Sequence, residues 1–567
     1  MKDTPFTEAR LLSLYDRVAE AEDAIPRLRR FVLDLAVRGK LVPQDEADER
    51  SRVSLADAQI HLTTLGLGVK RLRWVTTDAV TAREVPFPLP SHWVAARVND
   101  TGLYINGLAF KPSDWSSTGT PIIRIQNLTD PKKEFNYATG DFPDEVMVRD
   151  GDLLVSWSAT LDAFQWRNTT GVLNQHIFRV IPNEKLATKS FLLLLLKNAI
   201  REMADSEHAH GLVMSHINRG PFLNHVVLVP PLAEQHRIVA KVEELMALLD
   251  RLEAARAARE ETRTRLTAAT LSRLTEADTD TPSAARFAQQ TLPALTTRPD
   301  QIKTLRQTIL NLAVRGKLVE QDAGDEPAAA LLEQIRSYRK EAASSAGVRL
   351  KPVSKPVELI ADLPNGWRSC AMGDLVEPTA TISYGVLVPG PDVPDGIPFV
   401  RAQDLSLTNL PERPNKTISP EIEAPYARTR LKGGEILLCV VGSIGKLGIA
   451  PPSWNGANIA RAVARIAPVP ALLSQYLLIA MQSPAVQSCF AEATRTLAQP
   501  TLNVGLIEAV SIPLPPLAEQ HRIVTKVEEL MSLCDRLERA LQDATTTRAR
   551  LLEATLRDAL TGAQEAA

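Results

Sequence analysis

PLAEQHRIV, at Pro231–Val239, is written again without a change at Pro516–Val524, 285 residues later. The match runs on, because KVEELM at Lys241–Met246 recurs at Lys526–Met531 and DRLE at Asp250–Glu253 recurs at Asp535–Glu538. A second pair lies upstream, where LAVRGKLV at Leu35–Val42 recurs at Leu312–Val319 with an offset of 277. Fainter echoes keep nearly that offset: LPSHW at Leu89–Trp93 against LPNGW at Leu363–Trp367, and IIRIQNL at Ile122–Leu128 against FVRAQDL at Phe399–Leu405. Chance does not produce such matches. The chain is a tandem duplication whose linking segments have stayed alike while interiors of about 140 residues have diverged.

The repeated segments read as helices. From Ile238 the apolar positions Val242, Leu245, Leu249 and Leu252 step by four and three, and Ile523, Val527, Leu530, Cys534 and Leu537 repeat the register. That spacing lays one apolar seam along each helix, suited to a partner helix. Leu266 and Leu551 are expected to resume the seam, so each helix should run about 40 residues, roughly 60 Å. Pro230-Pro231 and Pro515-Pro516 fit a first helical turn, with Glu234 and Glu519 facing the positive helix end. LAVRGKLV reads as a helix finish, with Gly39 and Gly316 as caps. The interiors differ: Ile122–Ile125, Asp152–Trp157, His176–Ile181 and Val226–Val229 in the first, and Glu435–Val441 and Ala462–Ile466 in the second, are short strand-like runs broken by turn residues. A helix is expected near Phe191–Ala204, and Ala277–Arg298 reads as a polar linker.

With 44% hydrophobic and 23% charged residues, the 567-residue chain should fold into several domains rather than stay disordered. Its longest apolar run, Phe191–Leu196, is far too short to span a bilayer, and Met1–Arg10 carries no signal peptide pattern, so a cytoplasmic protein is expected. Cys370, Cys439, Cys489 and Cys534 form no paired motif and are expected to be small buried residues. The net charge of -2, and the thirteen basic against fourteen acidic residues between Val85 and Pro230, offer no global attraction for nucleic acid. Any such attraction must be local, or shared with partners.

PPLAEQHRIVxKVEEL after each β-rich interior, LAVRGKLV before it and the LPxxW opening together resemble the specificity subunits of type I restriction-modification systems. The resemblance covers essentially the whole chain. It implies an α+β fold in which two β-rich target-recognition domains are joined by long antiparallel coiled-coil helices, with an internal pseudo-two-fold repeat. The expected division is an N-terminal helical region at 1–84, recognition domains at 85–230 and 361–515, a central helical spacer at 231–360, and a C-terminal helix at 516–567. Each domain would read one half of a split site on double-stranded DNA, and the diverged interiors then imply an asymmetric site. A near-identical frame implies that both halves dock the same kind of partner: two methyltransferase subunits, with restriction/translocase subunits beyond them. The chain itself is expected to hold no cofactor and no metal, with S-adenosylmethionine, ATP and magnesium on the partners, and no membrane is implied.

Enzyme signatures fail individually. The adenine methyltransferase motif, Asn or Asp before Pro-Pro and an aromatic, is absent, since Pro230-Pro231 lies between Val229 and Leu232, Pro451-Pro452 precedes Ser453 and Pro515-Pro516 precedes Leu517. Gly442-Ser443-Ile444-Gly445-Lys446-Leu447-Gly448 lacks the glycine spacing and the hydroxyl of a phosphate loop and reads as a β-turn. Pro299-Asp300-Gln301-Ile302-Lys303 opens a helix without the further carboxylates a nuclease needs, and His208 and His210 cannot share one helix face. A non-catalytic subunit is expected. The alternatives are a catalytic methyltransferase-nuclease in one chain, which the missing methyltransferase motif counts against, and a coiled-coil scaffold that organises other subunits without reading DNA.

Candidate base readers are polar residues of the interiors: Lys111, Arg124, Gln126, Asn127, Trp157, Ser158, Gln175 and His176 in the first, and Tyr384, Arg401, Gln403, Ser443, Lys446, Asn458 and Arg461 in the second. Lys132, Lys133, Arg428, Arg430 and Lys432 are candidate phosphate contacts. Glu234, His236 and Arg237, with Glu519, His521 and Arg522, are the candidate partner contacts.

Overall fold

The computed structural model describes residues 6–561 apart from 52–53, 71, 73–76, 86, 88, 91, 131, 210–217, 276–295, 351–358, 361, 408–409 and 495–500. Most of the expected linker, and the His208/His210 pair as a possible ligand set, lie outside the described residues. The chain divides into two compact units, residues 1–258 with 544–567, and residues 259–543.

In the first unit α1 (Glu8–Val18), α2 (Ala24–Val37) and α3 (Leu55–Gly66) precede the β-rich head. The head runs β1 (Val94–Arg97), β2 (Gly102–Asn106), β3 (Thr120–Ile123), α4 (Ile125–Thr129), β4 (Asn136–Ala138), β5 (Met147–Val148), β6 (Leu153–Ser156), β7 (Asp162–Gln165), β8 (Gly171–Leu173), β9 (Ile177–Pro182), α5 (Lys189–Ala209), α6 (Arg219–Asn224) and β10 (Val226–Val229). The long helix α7 (Leu232–Thr275) leaves it. One sheet has the order β2-β9-β6-β7 and is antiparallel; the other, β4-β3-β8-β5, contains the parallel pair β3–β8. The first and last strands of the head, β1 and β10, pair with Val94 opposite Val229. That pairing returns the chain to its starting point, so the leaving helix begins beside the entering one.

The second unit repeats this plan. It contains α8 (Pro299–Val314), α9 (Ala328–Ser345), β11 (Arg368–Ala371), β12 (Ser383–Tyr384), β13 (Ile397–Val400), β14 (Lys416–Ile418), α10 (Pro420–Glu423), β15 (Ile436–Cys439), β16 (Leu447–Ile449), β17 (Asn458–Ile459), β18 (Val463–Ile466), α11 (Ser474–Gln482), α12 (Pro484–Thr494), α13 (Val504–Ala509) and β19 (Ser511–Leu514). The helix α14 (Leu517–Thr561) then starts in this unit and ends in the first. The sheets are β12-β18-β15-β16 and β14-β13-β17, with β13–β17 parallel, and β11 pairs with β19. The diverged interiors therefore share their strand order, except that among the described residues the edge strand β5 has no counterpart in the second head.

The two long helices span 44 and 45 residues. Ile238, Val242, Leu245 and Leu249 are buried in one core with Leu28, Phe31, Val32 and Leu35 of α2 and with Leu552 and Leu556. Ile523, Val527 and Cys534 are buried in another with Ile302, Ile309 and Ala313 of α8. Each such side chain contributes roughly 1.5–3 kcal/mol by leaving water, against about 0–1 kcal/mol for an exposed ion pair, so the apolar seams hold the rods. Leu266 and Leu551 do not continue the seams. Both are exposed, and Leu271 and Leu552 are buried instead, because a straight helix drifts away from a strict seven-residue repeat.

Contacts along α2 set the helix directions in the first unit. Arg29 meets Asp250 and Glu253, whereas Asp48, beyond the end of α2, meets Arg237, so α7 runs against α2. Arg27 pairs with Glu553 and Lys40 donates to the Leu560 carbonyl, so the end of α14 runs with α2 and therefore antiparallel to the start of α7. In the second unit Arg306 meets Asp535 and Glu538 as Arg29 meets its pair.

Gly39 and Gly316 sit at φ of 68° and 66°, and Lys40 N and Lys317 N donate to the carbonyls of Leu35 and Leu312, five residues back. This is the glycine-dependent helix ending expected of LAVRGKLV. The prolines fall one step earlier than expected: α7 and α14 begin at Leu232 and Leu517, and Pro231 and Pro516 supply the first accepting carbonyls. Cys370, Cys439 and Cys534 are buried and Cys489 is half-buried.

Candidate nucleic-acid interface

The repeated motifs converge on a junction within each unit. Strand pairing sets Trp93, one residue ahead of β1, against the first turn of α7, where its Nε1 donates to Glu234 Oε2 at 3.0 Å. Gln44 Nε2 donates to the other oxygen at 2.8 Å, and Asp48 accepts two hydrogen bonds from Arg237 at 3.0 and 2.6 Å. Gln235 donates to the carbonyls of Leu186 and Pro230 and accepts from Thr188 N. The second unit repeats the junction with Trp367 and Gln321 on Glu519 at 2.9 and 2.6 Å, Asp325 on Arg522, and Gln520 on Pro515. Burial holds the carboxyls of Glu234 and Glu519 above the usual range, against the donated hydrogen bonds. The Arg237 and Arg522 guanidiniums hold Asp48 and Asp325 below it.

This corrects the partner assignment for Glu234 and Glu519, which stand in the first turns of α7 and α14 as expected but are fully buried and bond inside the chain rather than to a partner. Arg237 and Arg522 are likewise tied to Asp48 and Asp325, whereas His236 and His521 are exposed. The sequence reading missed Trp93 and Trp367 as clamp residues, with Gln44, Asp48, Gln321 and Asp325. A signal was there, since Gln321 and Asp325 follow Gln44 and Asp48 by the same 277 residues as the repeated LAVRGKLV.

Most of the base-reading candidates lie along one seam of each head. In the first, the turn from β8 to β9, Asn174–His176, is stitched to the end of β3 by Asn174 N to Ile123 O at 3.0 Å and to the end of β6 by Trp157 N to His176 O at 3.3 Å. Arg124, Gln175, His176, Trp157 and Ser158 are thereby brought side by side. In the second, Ala460 N bonds Val400 O and Val440 N bonds Ala462 O, which gathers Arg401, Arg461 and the turn carrying Gly442 and Ser443. Equivalent ladder positions relate Arg124 to Arg401, Gln175 to Arg461, and Ala159, at φ 58°, to Gly442 at 79°. A Cβ on Gly107 would meet Asn174 O at 2.3 Å and one on Gly385 would meet Ile459 O at 1.7 Å, so only glycine allows β2 and β12 this approach to the seam.

Within the seam Trp157 lies 5.1 Å from the His176 ring, and both Trp157 Nε1 and His176 Nδ1 are buried without a hydrogen-bond partner among the described residues. Buried polar atoms are normally paired, so these two mark polar capacity beside the exposed Gln175. Arg124 is stacked on Trp115, its guanidinium carbon 5.2 Å from the ring centroid, and donates to Asn136 Oδ1 at 2.8 Å. Lys111, Lys132 and Lys133 are exposed in the same head and Gln126 is half-buried; Lys432, Arg428, Gln403, Ser443, Lys446 and Arg461 are exposed in the other. Lys446 Nζ reaches the carbonyls of Ala402 and Gln403 at 3.4 and 3.3 Å.

Several candidates have internal roles instead. Asn127 is 3% exposed, accepting from Arg124 N and donating to Lys133 O. Asn458 is completely buried, held by Glu423, Tyr426 O and Thr429. The Tyr384 hydroxyl donates to Leu502 O at 2.6 Å. Arg430 is paired through two bonds with the buried carboxylate of Glu423, which offsets the charge a phosphate would need. Arg401 is paired through two bonds with Asp404 in the same way, and both arginines are thereby held above their usual pKa. The glycine-containing segment at 442–448 forms the hairpin turn between β15 and β16, with positive φ at Gly442 and Gly445.

Two β-rich heads, each closed by its own end strands and each clamped to a helix by the same side chains, define a duplicated binding module. The chain belongs to the type I restriction modification DNA specificity domain family, whose model matches residues 90–259 and 364–546. It is 26% identical over 458 residues to the type I restriction enzyme EcoBI specificity subunit of Escherichia coli, covering 80% of this chain and 82% of that one. It is also 26% identical over 562 residues to the EcoEI specificity subunit of Escherichia coli, covering 94% and 93%. A solved HsdS subunit from Thermoanaerobacter tengcongensis aligns with a TM-score of 0.41 at 19% identity, over 84% of this chain and 98% of that one. Among the described residues no helix is long and apolar enough to cross a membrane, and no group of three or more His, Cys, Asp or Glu could hold a metal ion.

Proposed function

We propose that this chain is a non-catalytic reader of a split, asymmetric site on double-stranded DNA, each head recognising one half. The observation that carries the proposal is the pairing of a shared frame with unlike seam residues: strand order and junction recur, yet Gln175 faces out where the other head has Arg461, and Trp157-Ser158 stands where the other has Val440-Val441. A frame held constant while the exposed turn residues change is what reading two different base sequences requires. The exposed His236 and His521, identical in the two copies, are docking positions for one kind of partner, taken here to be two methyltransferase subunits, with restriction subunits joining them. S-adenosylmethionine, ATP and magnesium would then be bound by those partners.

The test is to co-express the chain with a methyltransferase subunit of its system and map adenine methylation across a host genome. Replacing residues 85–230 with the corresponding domain of another member should change one half of the methylated motif and leave the other half intact. An unchanged motif refutes the reading.

A further inference from the structure

Equivalent arginines of the two heads carry the same charge but have different partners. Arg124 and Arg401 each follow a central strand of the sheet that holds the parallel pair, β3 and β13, and each offers its backbone N–H to a side chain three residues on, Asn127 at 3.1 Å and Asp404 at 2.8 Å. There the likeness ends. Arg401 turns its Nε–Nη2 edge onto Asp404, at 3.0 and 3.1 Å, and that carboxylate is 9% exposed, so the arginine charge is balanced inside the head. Arg124 has the neutral Asn127 in that place. Its guanidinium lies instead against the Trp115 ring, and the one side-chain hydrogen bond it makes among the described residues is Nη1 to Asn136 Oδ1 at 2.8 Å.

A guanidinium lying over a ring and bonded at one corner is restricted in direction, and among the described residues four of its five N–H donors have no protein acceptor. Trp115 is itself 38% exposed, so the stack stands at the surface beside the turn that carries Gln175. Donors alone, arranged as a flat fork, match a base edge with two neighbouring acceptors. In the major groove only guanine offers that pair, O6 and N7, whereas adenine, cytosine and thymine each place a donor or a methyl group in the way. A phosphate also accepts such a fork, but backbone contact needs no fixed direction, and the exposed Lys132 and Lys133 of the same head can supply it.

The geometry points to Arg124, oriented by Trp115 and Asn136, as the residue that reads a guanine in the half-site of the first head, with Arg401 taking no part in base reading. This inference rests on the proposed DNA-reading function and goes beyond it to one base and one residue.

The full chain, in complex with a methyltransferase subunit, is tested on genomic DNA and on a randomised duplex library, with motifs read from the methylated adenines. Arg124→Ala should weaken discrimination at one guanine of the half-site assigned to residues 85–230 by roughly tenfold, with the rest of the motif kept. Arg124→Lys should not restore it, because an ammonium cannot form the fork, and Trp115→Ala should weaken the same position. Arg401→Ala should leave the motif unchanged. Thermal unfolding of each variant identifies any that fails to fold, and Arg124→Lys then carries the test. Uniform loss of methylation at every sequence, which signals a phosphate contact, overturns the inference. So does a half-site without guanine, or an A·T preference at the affected position, which signals minor-groove contact. Should the exchange of residues 85–230 alter the motif while Arg124→Ala alters no position, this inference fails and the proposed function stands.

Discussion

Replacing Trp93 by phenylalanine takes one hydrogen bond from a carboxylate that has no access to water. A hydrogen bond to a charged group is worth roughly 1.5–3 kcal/mol, and the smaller ring leaves a void besides, so Trp93→Phe should cost about 2–3 kcal/mol. At roughly 2–4 °C per kcal/mol, the first unit should melt about 4–12 °C lower. Glu234→Gln should behave differently. Among the described residues Gln44 Oε1 is buried without a partner, so a flip of the Gln44 amide lets it accept from the new amide while Trp93 keeps its acceptor. The variant also removes a buried charge and should lie within about 1 kcal/mol of the parent at neutral pH.

Acidity separates the two effects. Burial holds the folded Glu234 carboxyl above its unfolded value of about 4.3, so its contribution to stability is full below that pH and is lost as pH rises through the folded value. Relative to the parent, Glu234→Gln should therefore gain between pH 4.5 and pH 7.5. Differential scanning calorimetry of the full chain at both pH values measures this, with Trp367→Phe and Glu519→Gln as the mirror experiment. A Glu234→Gln variant that melts as low as Trp93→Phe, or whose shift ignores pH, would refute the hydrogen-bond account of the clamp.

Three further outcomes follow from the same contacts. Gly39→Ala and Gly316→Ala put a Cβ 2.7 Å from Pro90 Cγ and 2.3 Å from Pro364 Cγ at left-handed φ, and each should cost at least about 2 kcal/mol in urea unfolding, the second more than the first. Asp48→Asn and Asp325→Asn should destabilise at pH 7 and converge on the parent in acid. Their folded pKa values are depressed by arginine, so that stability is present above about 3.9 and is lost as pH falls through the folded values; a pH series of melting temperatures checks it. Leu552→Ala, at a fully buried position, should cost about 2–5 kcal/mol and loosen the first unit in hydrogen exchange, whereas Arg29→Ala, in ion pairs with exposed acids, should cost under about 1 kcal/mol.

Much of the architecture is legible in the sequence alone. Repeated words set the two halves, their 3-4 apolar spacing set the rods, and a glycine after a helix-period run set each cap; all are patterns along the chain. The turns between short apolar runs were legible as well, but that some of them meet along one seam was not, since it rests on strand pairing.

Local pattern does not determine which polar side chains remain available. Asn127 and Gln126 are neighbours in one short helix, yet Asn127 is locked to the carbonyl of Lys133. Glu234 reads as a surface helix residue until β1 pairs with β10 and brings Trp93 across 141 residues to cover it. Arg124 and Arg401 occupy matching places in the duplication, and only folding sets one against Trp115 and the other against Asp404. Periodicity and internal identity are properties of the chain as written, so they survive without tertiary contacts. Desolvation and hydrogen-bond partnership depend on which distant residue arrives, and only the packed fold decides that.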